Sequence, residues 1–282
     1  MKDKDKTKHL FKRLGAIAVP AFIAIIATLA ILDIRAVFEP RLLLFILNTV
    51  FLSVTAFVVA YISARSYLAG GSLNLLLLSC GVLAFGAANP VAGWLIGPPG
   101  GPNVAVTIHN VGALLGSVFH AAGAILTSAG VTSETVSKRR KLQMILAYLG
   151  VLVFMALLTI ASLQGAIPPF FIQGVGPTLL RQVVLGTAVA LFAISSLLFM
   201  GLYSTSKSDF LYWYSLALAL IALGLAAVFL QQAVGSPTGW AGRSAQYLGG
   251  IYFLIAAITA IRGARTKGIP LERAIALFFP RG

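Results

Sequence analysis

Two histidines and an asparagine interrupt a segment otherwise apolar enough for lipid, "VTIHNVGALLGSVFHAAGAIL", Val106–Leu126. His109 and His120 are two of the chain's three histidines. An imidazole in such a place can hydrogen-bond to a neighbouring helix, contact a ligand or take up a proton, or hold haem or a metal. His109, Gly112, Gly116, His120 and Gly123 are separated by three, four, four and three residues, which places them on one helical face. Glycines so spaced admit a second helix at close range, so both histidines face protein rather than lipid. At 1.5 Å per residue they lie about 16 Å apart along the axis. His109, with Asn110 beside it, falls near one end of the segment and is the candidate for ligand contact. His120 falls near the middle and is the candidate for a packed residue or switch, flanked by Gly112 and Gly116. For haem, His120 would need Met155 or Met200 as its second ligand, because two histidines this far apart on one helix cannot share an iron. No metal site and no cofactor is expected.

Other polar side chains fall at the depth of His109: Asn48, Asn89, Arg181, Gln232, Arg243 and Gln246, with Gln231 next to Gln232. Residues of this kind in several helices at one level suggest a pocket. With two arginines and no carboxylate near them in sequence, that pocket would favour an anionic or carbonyl-bearing ligand. Singly, each residue would equally serve as helix–helix glue or snorkel to an interface. Trp94, Trp240 and Tyr247 suit an interfacial aromatic belt.

The elements that position these residues follow from composition. Of 282 residues 59% are hydrophobic and 10% charged, with a mean hydropathy of +0.96. A soluble domain needs far more surface charge, and the apolar residues come in blocks of about 20, enough to cross a bilayer as helix. We read an all-α, polytopic transmembrane bundle of eight spans: Gly15–Ile34, Leu42–Ala64, Leu73–Ile96, Val104–Gly130, Leu142–Gln164, Gln182–Ser204, Phe210–Val234 and Ala245–Arg262. Turn-rich breaks such as "FEPR", "GPPGGPN" and "VGSPTGWAG" separate them. Residues 1–14 form a basic tail, 15–264 the bundle, and 265–282 a short tail in which Leu271, Ala274, Ile275 and Phe278 share a helical face. The first apolar run is too long for a signal peptide and reads as a retained span.

Eight spans with the N-terminus inside place 17 basic residues on the inner side and four on the outer. This asymmetry predicts cytoplasmic termini in a cell membrane and a polar layer in the outer leaflet. The net charge of +14 is therefore spent on orientation and headgroups rather than nucleic acid. The seven acidic residues fall in tails, loops or span ends, which argues against an ion-coupled carrier. No phosphate-cradling loop, zincin helix or catalytic triad pattern occurs, so no enzyme is expected. The single cysteine, Cys80, excludes an intrachain disulfide, and no internal sequence repeat is evident.

The eight-span layout, the histidine span and above all "GWAGRSAQYLGGIYFL" (Gly239–Leu254), followed by a basic exit and "IPLERA", resemble the N-terminal membrane sensor region of prokaryotic histidine kinases, the MASE-type modules. The resemblance implies a signal-input role, either as a stand-alone or truncated sensor module or with a cytoplasmic kinase or PAS protein on a separate chain as partner, and a second copy of the chain as a further candidate partner. The chain departs from those kinases in ending at "FFPRG", with no phosphoacceptor histidine, ATP-binding box or PAS domain, so kinase activity is not implied. The expected function is a membrane sensor that binds a small ligand in an outward-facing polar pocket and relays helix rearrangement inward. The alternatives are a carrier of a neutral or anionic solute and, third, a redox protein holding haem or quinone.

Overall fold

The computed structural model describes residues 2–40, 42–70, 72–131, 137–172, 174–270 and 273–275, with backbone alone for 2–9 and 137. Eight helices long and apolar enough to span a membrane account for nearly all of it. They are α1 (Lys2–Leu32), α2 (Leu43–Gly70), α3 (Leu73–Leu95), α4 (Gly101–Ser128), α5 (Arg140–Leu163), α6 (Leu179–Ser206), α7 (Asp209–Leu230) and α8 (Pro237–Thr266). The eight expected spans are all present. Two starts differ. Helix α1 begins within the basic tail, and α8 begins eight residues before Ala245, with Ser236 as cap and Pro237 in its first turn. The Ser236 and Ser208 hydroxyls accept the Gly239 and Leu211 amides at 3.4 Å, starting α8 and α7, as Thr178 does for α6. Two short strands, β1 (Phe171–Ile172) and β2 (Gly176–Pro177), pair antiparallel in the α5–α6 connection. In the tail 265–282, Leu271 and Phe278 of the expected helical face lie outside the described residues, whereas Ala274 and Ile275 pack into the bundle core, the Ile275 amide donating to Ser66 Oγ at 3.4 Å.

The connections that follow α1, α3, α5 and α7 share one end of the bundle, here called the upper end, because the helices alternate in direction. Helices α3 and α7 are central, with most of their residues buried, whereas α1 and α5 bury few of theirs and present apolar side chains outward. The glycine face of α4 seats against α3 as its spacing implied. A Cβ on Gly116 would lie 3.0 Å from the Gly81 carbonyl, one on Gly123 3.0 Å from Leu78, and one on Gly112 would collide with Ala88.

The order of packing repeats, which the sequence did not reveal. Helix α1 packs on α7 and α8 as α5 packs on α3 and α4; α2 lies between α3 and α8 as α6 lies between α7 and α4; α3 pairs with α4 as α7 pairs with α8. The connections follow suit. The α1–α2 loop is tied to the start of α8, where Phe38 N–H donates to Gly235 O at 3.0 Å and Trp240 Nε1 to Phe38 O at 2.6 Å. The α5–α6 loop is tied to the start of α4, where Asn103 Oδ1 accepts from the Phe170 and Phe171 amides at 2.8 and 3.0 Å. The bundle thus comprises two four-helix units of like packing. Each holds an even number of helices, so both run the same way and a rotation relating them runs along the helices.

Helix α2 has one irregular turn, π-helical over Thr49–Val54, directly after Asn48. Such turns widen the helix locally and re-aim side chains. A Cβ on Gly250 of α8 would collide with the Phe51 carbonyl in this turn, so only glycine lets the two backbones meet there.

Candidate functional site

Five helices converge on a small polar chamber just below the upper end. Asn48 comes from α2, Asn89 from α3, His109 and Asn110 from α4, Arg243 and Gln246 from α8, and Gln231 from the end of α7. The chamber measures about 50 Å³. That holds a few water-sized groups and is far below the ~300–1,000 Å³ of a pocket for a whole drug-sized ligand.

One wall is fully bonded. Pro90 removes an N–H from α3, and side-chain amides serve carbonyls of that turn: Asn89 Nδ2 donates to Phe85 O at 2.6 Å and Asn48 Nδ2 to Asn89 O at 2.9 Å. Tyr247 OH donates to Asn48 Oδ1 at 3.0 Å. Asn89 Oδ1 lies 3.2 Å from His109 Nδ1. Because that oxygen only accepts, Nδ1 carries the proton, and a neutral His109 keeps a lone pair on Nε2. Tyr247→Phe would strand Asn48 Oδ1 in a buried site. We expect a loss of about 1–3 kcal/mol, read as a lower unfolding midpoint in detergent, with the Tyr247→Phe/Asn48→Leu pair less costly than the sum.

The opposite wall is not bonded. Asn110 is 0% exposed, and neither its Nδ2 nor its Oδ1 has a partner among the described residues. Gln231 Oε1 and Gln246 Nε2 are likewise buried without partners. These four atoms belong to residues that surround the chamber.

The charges differ from the sequence expectation. Arg243 does have a carboxylate: Glu39, from the α1–α2 loop, lies 2.9 Å from its Nη1, and the guanidinium sits 4.6 Å from the Trp240 ring centroid. The second acid at this end, Asp33, pairs with Arg35 at 2.6 Å. Arg181 is the exception. It is 0% exposed, its Nη2 donates to the carbonyl of Val228, a chamber residue, and its Nε and Nη1 have no partner among the described residues. Arg181 does not itself line the chamber but stands behind Val228, which does.

Of the eight residues expected to bind ligand, six line the chamber, and Arg181 stands behind it. Gln232 does not belong: it is exposed, its Nε2 3.4 Å from Leu230 O, and Gln231 takes its place. Tyr247 leaves the expected aromatic belt and turns inward, whereas Trp94, 59% exposed, fits it. His120 sits apart from the chamber, in the core. Its Nδ1 is 3.2 Å from Tyr214 OH, and its ring stacks on Phe253 at 6.0 Å and 14°. Among the described residues no group of three or more His, Cys, Asp or Glu could hold a metal. Met200 is occupied otherwise, its sulfur 3.8 Å from Ser215 Oγ, and Met155 lies against Gly112.

Sequence reasoning missed Glu39, although two acids among the arginines of one end signal pairing. It also missed a second space above the chamber, a vestibule of about 780 Å³ between the α1–α2 loop and the end of α3. Leu44, Ile96 and Val234 line both spaces. Fold and site together define a polytopic α-helical membrane protein with a small polar chamber near one end of the bundle. No protein-family model, curated protein or solved structure matches the chain.

Proposed function

We propose that the protein is a membrane signal-input module that binds a small anionic or carbonyl-bearing ligand in the chamber. The observation that carries this reading is the unbonded wall. Asn110, Gln231 and Gln246 surround one space and carry buried donors and acceptors without partners among the described residues, and the buried charge of Arg181, with no counter-charge among them, stands behind it. Groups left this way are costly unless function uses them. The basic lower end is cytoplasmic on the positive-inside rule, so the chamber opens outward. Helix α8 supplies the relay. It carries Arg243 and Gln246 at the chamber and continues to Thr266 at the lower end without an internal proline, about 30 Å further on. The segment that resembles the kinase sensor modules is the one that supplies Arg243 and Gln246. The output partner is a cytoplasmic kinase or PAS protein.

The test is isothermal titration of the protein in nanodiscs with carboxylates from acetate to decanoate, and with acetamide as the neutral analogue. Binding should rank carboxylate above amide. Asn110→Leu should abolish it while raising the unfolding midpoint, since the leucine removes two unsatisfied groups worth about 1–3 kcal/mol. If no member of the series binds, the reading falls. A carrier is the second reading, favoured by the repeated packing of two four-helix units, an architecture that some transporters use. Flux of labelled acetate in proteoliposomes decides between them: saturable flux supports the carrier, and binding without flux supports the sensor.

A further inference from the structure

We propose that a groove between α2 and α5, in the lower half of the bundle, seats one acyl chain of an anionic phospholipid, whose phosphate meets the cations at the lower end of the groove. The groove encloses about 550 Å³. Helix α2 lines it with Phe57, Tyr61, Arg65 and Leu68, and α5 lines it with Met144, Tyr148 and Leu152. Each set is spaced by three or four residues and so forms one helical face. Ala60, Ala64 and Leu83, all buried, complete the lining. Phe57, Tyr61 and Leu152 are exposed on the outside of the bundle, so the groove is open on the side that lipid covers.

Length and charge select the occupant. From Phe57 to Leu68 the groove runs about 16 Å along α2, close to half of a ~30 Å hydrocarbon core. One leaflet's acyl chain has that reach. Arg65 is the only charged residue in the lining, and it falls toward the end of α2 at Gly70. Arg140, the first residue of α5, reaches the same end: its Nη1 lies 3.5 Å from the carbonyl of Leu68 and 3.3 Å from that of Ala69. Arg140 and Lys141 precede Met144 by four and three residues, which places them on the face of α5 that lines the groove. They belong to an unbroken basic run, Lys138–Lys141. An apolar groove with cations at one end matches a lipid with a negative head. A second copy of the chain suits it less. A two-fold pair through this face would bring the same arginines of both copies together.

The experiment titrates the full chain, stripped of lipid in detergent, with dioleoyl phosphatidylglycerol or dioleoyl phosphatidylcholine, and counts bound lipid by native mass spectrometry. Phosphatidylglycerol should bind about tenfold more tightly, and inorganic phosphate should not displace it, because the head alone lacks the tail's buried area. Lys141 is exposed, so Lys141→Gln should fold as the parent does. It should weaken phosphatidylglycerol about fivefold, the weight of one cation at an anionic surface, and leave phosphatidylcholine unchanged. Arg65→Gln should act in the same direction. Met144→Trp, which fills the groove, should weaken both lipids. Equal binding of the two lipids overturns the proposal. So does phosphatidylglycerol binding indifferent to Lys141→Gln and Arg65→Gln, or indifferent to Met144→Trp. A dimer that persists without lipid and is lost in Met144→Trp also overturns it, in favour of a second copy in the groove.

Discussion

Replacing Arg181 by methionine is expected to stabilise the protein and weaken carboxylate binding at once. The guanidinium is wholly buried, donates one hydrogen bond to Val228 O, and has two nitrogens without partners among the described residues. Taking a charge out of water without a counter-charge is among the most costly things a fold can do. Methionine has similar reach and adapts to irregular space. Exchanging buried ionic groups for apolar ones of similar volume is neutral or stabilising by about 1–4 kcal/mol. In a chain of this size each kcal/mol moves the midpoint by about 2–4 °C, so a rise of several degrees is expected. The buried positive charge behind the chamber is lost, leaving Arg243 alone, and acetate affinity should fall at least tenfold. Arg181→Lys, which keeps the charge, should retain most of the affinity. A fall in the midpoint of Arg181→Met by several degrees would instead make the Val228 contact the reason for the arginine.

Much of the fold could be read from the sequence, for a physical reason. Lipid imposes a length and a polarity on each span, and both are local quantities. The eight helices therefore appear where apolar blocks predict them, and errors are confined to ends such as the start of α8, where Pro237 and the Ser236 cap lie upstream of the apolar block. The polar layer was legible too, because depth follows from position within a span. Direction around the helix was harder. Gln231 and Gln232 differ by one residue, and α7 ends at Leu230, with Gln231 in extended backbone at ψ 133°. Helical periodicity no longer says there which side chain turns inward. The Glu39–Arg243 pair joins positions 204 apart and is invisible to any local pattern. The repeated packing order was hidden for the opposite reason. Apolar helix contacts constrain size rather than identity, so two units can share a packing order without sharing letters.

The matching places of α4 and α8 meet at His120 and Phe253, and the strongest packing test lies beside them at Gly81. A Cβ on Gly81 would fall 2.8 Å from His120 Cδ2, 2.9 Å from its Nε2 and 3.0 Å from the Gly116 carbonyl. The ring is held by Phe192, Tyr214 and Phe253, and the carbonyl belongs to the α4 backbone, so neither can yield. Gly81→Ala should cost about 1–3 kcal/mol by overpacking. His120→Ala should cost about 3–5 kcal/mol, as for other buried rings, since it empties the site and strands Tyr214 OH. Gly81→Leu would be severe in the native background, yet its side chain points into the space the imidazole fills. The double variant Gly81→Leu/His120→Ala should therefore be more stable than the sum of the two changes, with a coupling of about 0.5–3 kcal/mol, measured by reversible unfolding in mixed micelles. Acetate binding by His120→Ala, titrated below its unfolding temperature, should match the parent protein. His109→Ala should fold and bind more weakly. That pair of results would separate the two histidines of one helix by role, His120 as packing and His109 as chamber wall. Unchanged stability of His120→Ala, with ligand affinity lost, would reverse the assignment.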